Sequence, residues 1–412
     1  MKFGLVGERL GHSFSPEIHR ALGNPDYTLI ELAPDAVRDF FAKRDFEGVN
    51  VTIPYKETVM PFLDEISPEA LAIGAVNTVR RRGGKLYGTN TDFGGMQALF
   101  AHAGIDLCGK KVLILGTGGT SKTARAVARA AGAREIVLVS REKKEGVVTY
   151  AEAYEKHADA EVIFNATPVG MFPHAENCPI DIARFPALCG VADAIYNPLC
   201  TRLVLASRAQ GIPAEGGLFM LVAQAVLAAE IFLDTTFGKE TTERLFRSIL
   251  ADKQNIVLTG MPASGKSTVG KLLSARLGRP FFDSDAEVEK AAGMPISKIF
   301  AKYGEADFRA RENAALTALS AKVGAVIATG GGAILRDDNV DLLRANGKIY
   351  FLDRAPELLL ATPDRPLSST REAVFRRYAE RIDRYRATAD CIVPGDGTPE
   401  SVVTLIEKEH FQ

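Results

Sequence analysis

The 412-residue sequence predicts an α/β protein built from more than one domain. Three observations predict it. Short apolar runs alternate with helix-like segments, which implies sheets covered by helices. Two of those runs, 111–115 and 256–258, pass straight into a glycine turn and then a helix. The chain is also longer than one hydrophobic core normally supports. The expected architecture is an N-terminal α/β region with a dinucleotide-type (Rossmann) layer, then a second parallel-sheet domain around a phosphate loop.

In order, 3–7, 27–32 and 48–53 read as strands, 35–43 and 66–73 as helices, and Arg82-Gly83-Gly84 as the turn of a hairpin. Polar clusters fall at the ends of these strands: Ser13-Phe-Ser15, Asn50-Val-Thr52-Ile-Pro-Tyr-Lys56, Gly74-Ala-Val-Asn77-Thr78 and Asn90-Thr-Asp92. Open α/β sheets place their ligands there. Taken singly, each has a plain structural reading: Ser15 before Pro16 as a helix cap, Asn77-Thr78 as a turn, Asn90-Thr-Asp92 as the cap of a helix over 93–103.

The strand 111–115 leads into Gly116-Thr-Gly118-Gly119-Thr120-Ser121 and a helix over 121–131. Such a turn lets backbone approach a pyrophosphate closely. The next strand, 135–139, ends in Ser140-Arg141. A basic residue there suits the extra phosphate of NADP, whereas an acid would suit the ribose of NAD. Lys143 and Lys144 add positive charge and Glu142 opposes it. Strands at 162–165 and 191–195 follow. The apolar stretch 218–233 contains Gln224 and Glu230 and reads as a buried helix, not a membrane span. A helix at 241–251 closes the region.

Residues 255–268 then give a strand, the loop Gly260-Met-Pro-Ala263-Ser264-Gly265-Lys266-Ser267-Thr268, and a helix from Ser267 onward. In this pattern backbone N–H groups curl around phosphate oxygens at a helix N-terminus, the lysine reaches the outer phosphates, and the serine hydroxyl meets Mg2+. Asp283 and Asp285 sit two residues apart at a strand end and are expected to point to opposite sides, one toward Mg2+ and one toward an acceptor alcohol. Phe308-Arg309 is read as opening a helix over 310–320, Gly330-Gly331-Gly332 as bare backbone ending a strand. Arg365 lies in a Pro-containing loop, and Arg381 and Arg384 on a basic helix. Arginine suits bidentate binding of carboxylate and phosphate.

Composition narrows the class. A formal net charge of −1 gives no electrostatic case for nucleic acid or an anionic membrane surface. Five scattered cysteines with no C-x-x-C spacing suggest reduced thiols, with neither a disulfide framework nor a zinc site. With no leader-like segment at Met1, the expected location is cytoplasmic. Oligomeric state is not legible.

The clusters of residues 1–250, taken with 165–171 (Asn-Ala-Thr-Pro-Val-Gly-Met) and Gln224 in this order, resemble shikimate dehydrogenase. The resemblance implies a catalytic pair, Lys56 and Asp92. Ser13, Ser15, Thr52, Asn77, Tyr196 and Gln224 would hold the hydroxyls and carboxylate of 3-dehydroshikimate or shikimate. Gly116, Gly118, Gly119, Thr120, Ser121, Ser140 and Arg141 would bind NADP(H). Ser140 stands where the family often has Asn. Residues 255–412 resemble shikimate kinase. This implies ATP and Mg2+ held by Gly260, Ala263, Ser264, Gly265, Lys266, Ser267, Thr268 and Asp283, with Asp285 meeting the acceptor hydroxyl. Arg309, Gly331, Gly332 and Arg381 would bind the shikimate carboxylate, and Arg365 would close on the transferring phosphate from a lid. Ala263 replaces a frequent glycine, and the lid segment 361–365 is short. The expected division is a substrate-binding domain at 1–95 completed by helices at 216–250, a Rossmann domain at 96–215 and a kinase domain at 253–412.

Overall fold

The computed structural model describes residues 2–11, 13–359 and 370–411, apart from the side chain of Lys239. The chain divides into two compact units, Met1–Ile249 and Leu250–Gln412.

The first unit holds two six-stranded sheets. One contains β1 (Phe3–Gly7), β2 (Tyr27–Glu31), β3 (Gly48–Val51), β4 (Glu65–Ile66), β5 (Thr78–Arg82) and β6 (Lys85–Thr89), in the order β2-β1-β3-β5-β6-β4. β1, β2 and β3 are parallel, and the β5–β6 hairpin joins antiparallel to β3. Its helices are α1 (Ser15–Ala21), α2 (Ala36–Lys43), α3 (Pro68–Ile73) and α4 (Thr91–His102). The segment expected as helix from 66 begins as β4, because Ser67 caps α3 by accepting from Ala70 N–H at 3.2 Å.

The second sheet contains β7 (Lys111–Leu115), β8 (Glu135–Ser140), β9 (Val147–Thr149), β10 (Val162–Asn165), β11 (Gly190–Asp193) and β12 (Ala214–Glu215). All its pairings are parallel, in the order β12-β11-β10-β7-β8-β9. The order reverses beside β7, where a doubly wound sheet opens its binding crevice. α5 (Gly119–Ala130), α6 (Tyr150–Lys156) and α7 (Arg202–Ala209) accompany it.

α8 (Leu218–Leu233) is buried on most of its circumference, and it returns to the first sheet. Phe232 stacks on Phe3 with ring centroids 5.1 Å apart, in a cluster with Leu5, Tyr27 and Ala228. A helix late in the sequence thus completes the core of the first strands. α9 (Lys239–Lys253) follows it.

The second unit has one parallel sheet, β14-β15-β13-β16-β17. Its strands are β13 (Asn255–Thr259), β14 (Phe281–Asp283), β15 (Val326–Ala328), β16 (Gly347–Asp353) and β17 (Cys391–Pro394). Central β13 is buried on both faces. Val257 packs into one cluster with Ile327, Phe351 and Tyr385, and Ile256 and Leu258 pack into the other with Leu273, Tyr350 and Ile406, as strand alternation requires. The helices are α10 (Lys266–Leu277), α11 (Ser284–Ala292), α12 (Ile296–Ser320), α13 (Asp337–Asn346), α14 (Arg371–Thr388) and α15 (Pro399–Phe411). The helix expected from 310 starts fourteen residues earlier, at Ile296, and is broken at Gly304, whose φ is 83°.

The end of α9 belongs to the second unit. The Ala251 carbonyl accepts from Arg279 Nη2 at 2.7 Å and lies 2.9 Å from His410 Nε2, and the Lys253 carbonyl accepts from Gly324 N–H at 2.8 Å. Burial pulls the His410 imidazole down to about 4. A fragment starting at Lys253 loses the Ala251 acceptor, and a buried donor left unpaired costs about 1–3 kcal/mol. Fragment 253–412 should therefore melt several degrees below fragment 249–412, at roughly 2–4 °C per kcal/mol for this size. Equal melting temperatures would show that the α9 terminus is dispensable.

Candidate active sites

Lys56 and Asp92 come from different elements and meet at the carboxyl edge of the first sheet. Lys56 lies in the turns after β3, and its carbonyl accepts from Val76 N–H at 2.8 Å. Asp92 is in the first turn of α4, which Asn90 caps by accepting from Phe93 N–H at 3.3 Å. Lys56 Nζ stands 2.6 Å from Asp92 Oδ2, with only 17 % and 11 % of the side chains exposed. Asn77 fixes that register: its side-chain carbonyl accepts from Thr91 N–H at 2.7 Å, and its amide donates to Thr91 Oγ1 at 3.1 Å. Behind it, Asn50 donates to the Asn77 carbonyl and to Thr78 Oγ1, and accepts from the Tyr27 hydroxyl at 2.7 Å.

Ser13 and Ser15 form a second group at the start of α1. Ser15 lies inside the helix and does not cap it; Ser13 Oγ takes the Ser15 N–H at 3.3 Å and donates to Ser15 Oγ at 3.1 Å. Phe14 between them packs on Tyr196, with centroids 5.5 Å apart. Burial raises the Tyr196 phenol above its usual range. Thr52 follows β3, its N–H bonded to the Val6 carbonyl at 2.9 Å. Gln224 is carried by α8 to the face of α4 that holds Asp92's helix in place: a Cβ on Gly95 would stand 2.8 Å from Gln224 Cβ and 2.9 Å from the Met220 carbonyl, so only glycine permits that approach.

Beyond β7, α5 begins at Gly119, two residues before the expected start, so Gly119, Thr120 and Ser121 form its first turn. Side-chain positions at Gly118 and Gly119 face open space, with no atom within 4 Å. That is room for an anion at a helix N-terminus. Ser140 ends β8 and Arg141 follows it, exposed. Lys143, expected to add positive charge here, is paired with Glu152 at 2.5 Å, a contact that helps draw the Glu152 carboxyl down to about 2.

Asp193 had no place among the sequence candidates. It is fully buried and accepts from Asn165 Nδ2 at 3.0 Å, Ile195 N–H at 3.0 Å and Thr201 Oγ1 at 2.8 Å. Burial pushes its carboxyl up to about 6 against the pull of those donors. It ties the loop after β10 to the segment carrying Tyr196. The readable signal was an acid at the end of an apolar strand.

In the second unit, Lys266 Nζ folds back onto the phosphate loop and donates to the Gly260 and Met261 carbonyls at 2.9 and 2.8 Å. Ser267 Oγ donates to Asp283 Oδ2 at 2.6 Å, and Asp283 Oδ1 accepts from Asp285 N–H at 3.1 Å. The two carboxylates do diverge, but not as an extended chain would, since residues two apart on a strand share a face. β14 ends at Asp283, which caps α11, and Asp285 lies in that helix's first turn. Among the described residues, no group of three His, Cys, Asp or Glu side chains gathers as a metal site. The Ser267–Asp283 hydroxyl–carboxylate pair suits a Mg2+ that takes its other oxygens from nucleotide and water.

The glycine run after β15 lies against these groups. Gly330 N–H donates to Ser284 Oγ at 2.8 Å. A Cβ on Gly330 would collide with Asp285 Oδ1, and one on Gly332 with the Arg309 guanidinium. Arg309 pairs with buried Glu312 at 2.8 Å and with Glu305 at 3.0 Å. Glu312, absent from the sequence candidates, was legible only as a carboxylate one helical turn from Arg309. Arg381 Nη1 donates to the Gly331 carbonyl at 3.0 Å. The buried Tyr385 hydroxyl bonds the Gly331 and Gly260 carbonyls, joining the glycine run to the phosphate loop. Arg384 is turned aside to the Ile334 carbonyl and Asp337. Arg365 lies outside the described residues.

Comparison with known proteins finds a family match within each unit. The family model "Shikimate dehydrogenase substrate binding domain" matches residues 5–79, and the model "Shikimate kinase" matches residues 262–410. The shikimate dehydrogenase (NADP(+)) of Clostridium perfringens (strain SM101 / Type A) is 36 % identical over 271 residues, covering 60 % of this chain and 97 % of that protein. Among solved structures, shikimate dehydrogenase 1 from Peptoclostridium difficile is 36 % identical with a TM-score of 0.55, covering 60 % of this chain and 97 % of its own. The shikimate 5-dehydrogenase of Thermus thermophilus, in complex with NADP(H) and shikimate, is 31 % identical with a TM-score of 0.54, covering 60 % and 99 %. No described helix is long and apolar enough to cross a membrane.

Ala263, the residue in place of a frequent glycine, adopts φ 65° in the phosphate loop. A side chain in that conformation costs about 1–2 kcal/mol, partly offset because glycine loosens the unfolded chain by about 0.4–1 kcal/mol. Ala263→Gly should leave the second unit equally stable or up to about 1 kcal/mol more stable, and branched Ala263→Val should destabilise it. Thermal denaturation checks this; a clear loss of stability in Ala263→Gly would mean the loop is not strained there.

Proposed function

Given that the chain belongs to the shikimate dehydrogenase family and carries a shikimate kinase domain behind it, we propose that this bifunctional shikimate-pathway enzyme catalyses two consecutive steps. The first unit reduces 3-dehydroshikimate to shikimate with NADPH, and the second phosphorylates shikimate to shikimate 3-phosphate with MgATP. In this proposal residues 1–95 with helices from 216–250 bind substrate, 96–215 bind NADP, and 253–412 form the kinase. The observation that carries it is the Lys56–Asp92 contact of 2.6 Å, in a chain that also places Lys266, Ser267, Asp283 and Asp285 around a phosphate loop. The first set makes a hydroxyl and the second consumes one.

Held by the turn from Gly116 to Ser121 and by Arg141, NADPH would supply the hydride for the substrate ketone. As that carbonyl oxygen gains charge, the Lys56 ammonium hydrogen-bonds it and passes a proton to it; Asp92 keeps the ammonium aimed, and solvent returns the proton to Lys56. Ser13, Ser15, Thr52, Asn77, Tyr196 and Gln224 offer the neutral hydroxyl and amide groups that a polyhydroxylated ring requires. The exposed backbone turn from Gly116 to Ser121 takes the pyrophosphate, and Ser140 with Arg141 reads the 2′-phosphate.

In the second unit, Asp285 accepts the hydrogen of the shikimate hydroxyl and takes its proton as the phosphoryl group transfers. Lys266 exchanges the Gly260 and Met261 carbonyls for phosphate oxygens, while Ser267 and Asp283 supply oxygens to Mg2+. Ala263, Ser264, Gly265 and Thr268 complete the loop around the nucleotide. Arg309 and Arg381, with the backbone of Gly331 and Gly332, hold the shikimate carboxylate, and Arg365 neutralises transferring charge.

A coupled assay with 3-dehydroshikimate, NADPH and MgATP, with product identification, tests the whole reading; a panel including NADH and quinate tests its specificity. Lys56→Ala should lower ketone reduction by roughly 10²–10⁴-fold and leave phosphorylation of supplied shikimate unchanged. Near-normal reduction by that variant would remove Lys56 from the chemistry. Asp285→Asn should abolish most phosphoryl transfer while retaining ATP affinity, whereas Lys266→Ala should impair nucleotide binding itself. Titrations showing equal loss of ATP affinity in both variants would refute the separation of roles.

A further inference from the structure

Arg354, the residue that follows β16, takes no part in the reading above. Its guanidinium lies beside the last turn of the phosphate loop: Nη1 is 3.8 Å from where a Cβ on Gly265 would stand. On its other side is the turn after β17, where a Cβ on Gly395 would come 3.2 Å from Arg354 Cβ. That turn is fastened to the Arg354 segment by Gly395 N–H to the Asp353 carbonyl at 2.7 Å and by Ala355 N–H to Asp396 Oδ1 at 2.9 Å. Arg354 Nε is buried with no acceptor among the described residues.

This is an unfavourable place for an uncompensated cation. It adjoins the N-terminus of α10, where the helix dipole is positive, and Lys266 already puts one ammonium in the loop. Other arginines of the unit, such as Arg309, Arg336 and Arg386, are paired with carboxylates. A fixed cation with an unused donor at a phosphate loop is stabilised when an anion arrives.

The sheet says which part of a nucleotide would arrive there. β13, which feeds the loop, is flanked by β15 and β16. The acceptor groups Asp285 and Gly330–332 lie on the β14–β15 side, so the transferring phosphate must point that way. The nucleoside end then extends over β16 and β17, toward Arg354. We infer that Arg354 is a nucleotide-binding residue, pairing with the phosphate nearest the nucleoside. This rests on the proposed kinase reading.

Calorimetric titration of the full-length protein separates the two. Wild type and the variants Arg354→Ala and Arg354→Lys would each be titrated with MgADP and, separately, with shikimate. Arg354→Ala should weaken MgADP roughly 10- to 100-fold, the scale of a charge-assisted contact. Arg354→Lys, keeping the charge but not the fork, should recover part of that loss. Shikimate affinity and the melting temperature should stay at wild-type values. MgADP binding by Arg354→Ala equal to wild type overturns the assignment alone, and a parallel loss of shikimate affinity overturns it in favour of a structural role. A wild-type protein that binds no MgADP overturns the kinase reading together with it.

Discussion

An ammonium held 2.6 Å from a carboxylate, with both side chains largely out of water, is the constraint around which the first unit is arranged. Removing two charges from water is costly, and their attraction offsets that only where geometry is good and the remaining hydrogen-bonding capacity is used. The unit meets this by building Lys56 and Asp92 on different elements and then tying those elements together. Asn77 holds the backbone and hydroxyl of Thr91, immediately before Asp92. Asn50 and Tyr27 fix Asn77 in turn. The polar lattice runs from Tyr27 at the start of β2 through Asn50 in β3 to Thr78 at the start of β5, so the sheet itself sets the distance between the two charges.

The second unit solves a different problem, since a phosphate loop must hold concentrated positive charge before any phosphate is present. Lys266 is kept over the loop's own carbonyls, and those of Gly260 and Met261 accept from its ammonium. Tyr385 reaches across to the same Gly260 carbonyl and to Gly331, making the loop and the glycine run one rigid assembly. The glycines are required on their concave side because the Asp285 and Arg309 side chains already occupy the space that any Cβ would take. The acceptor carboxylate and the carboxylate-binding arginine are therefore positioned against bare backbone.

Local pattern is what made most elements legible. The apolar runs at β1, β7 and β13 and the long apolar helix α8 stand out because burial on all sides leaves few polar residues. Boundaries were less legible where a cap or a break decides them: Ser67 moves a helix start past Ile66, and Gly304 interrupts a helix that its flanking residues extend well beyond 310. The candidate residues were readable as clusters at strand ends. Their partners were not: Asp193 and Glu312 look like ordinary acids until the fold buries them against Asn165 and Arg309.

The sequence by itself determined the α/β class, the two glycine turns, and the residue types needed for hydride and phosphoryl chemistry, because each rests on spacing within a few positions. Only the tertiary structure decided which of those residues meet. Lys56 and Asp92 are brought together through β3 and α4, and Arg381 reaches Gly331 from fifty residues away. It also decided that α8 completes the core of β1, and that Lys143 is spent on Glu152 while Arg354 is left beside the phosphate loop. Such pairings depend on strand order and helix packing, which follow from burying the whole chain's apolar surface at once and are not written in any local stretch.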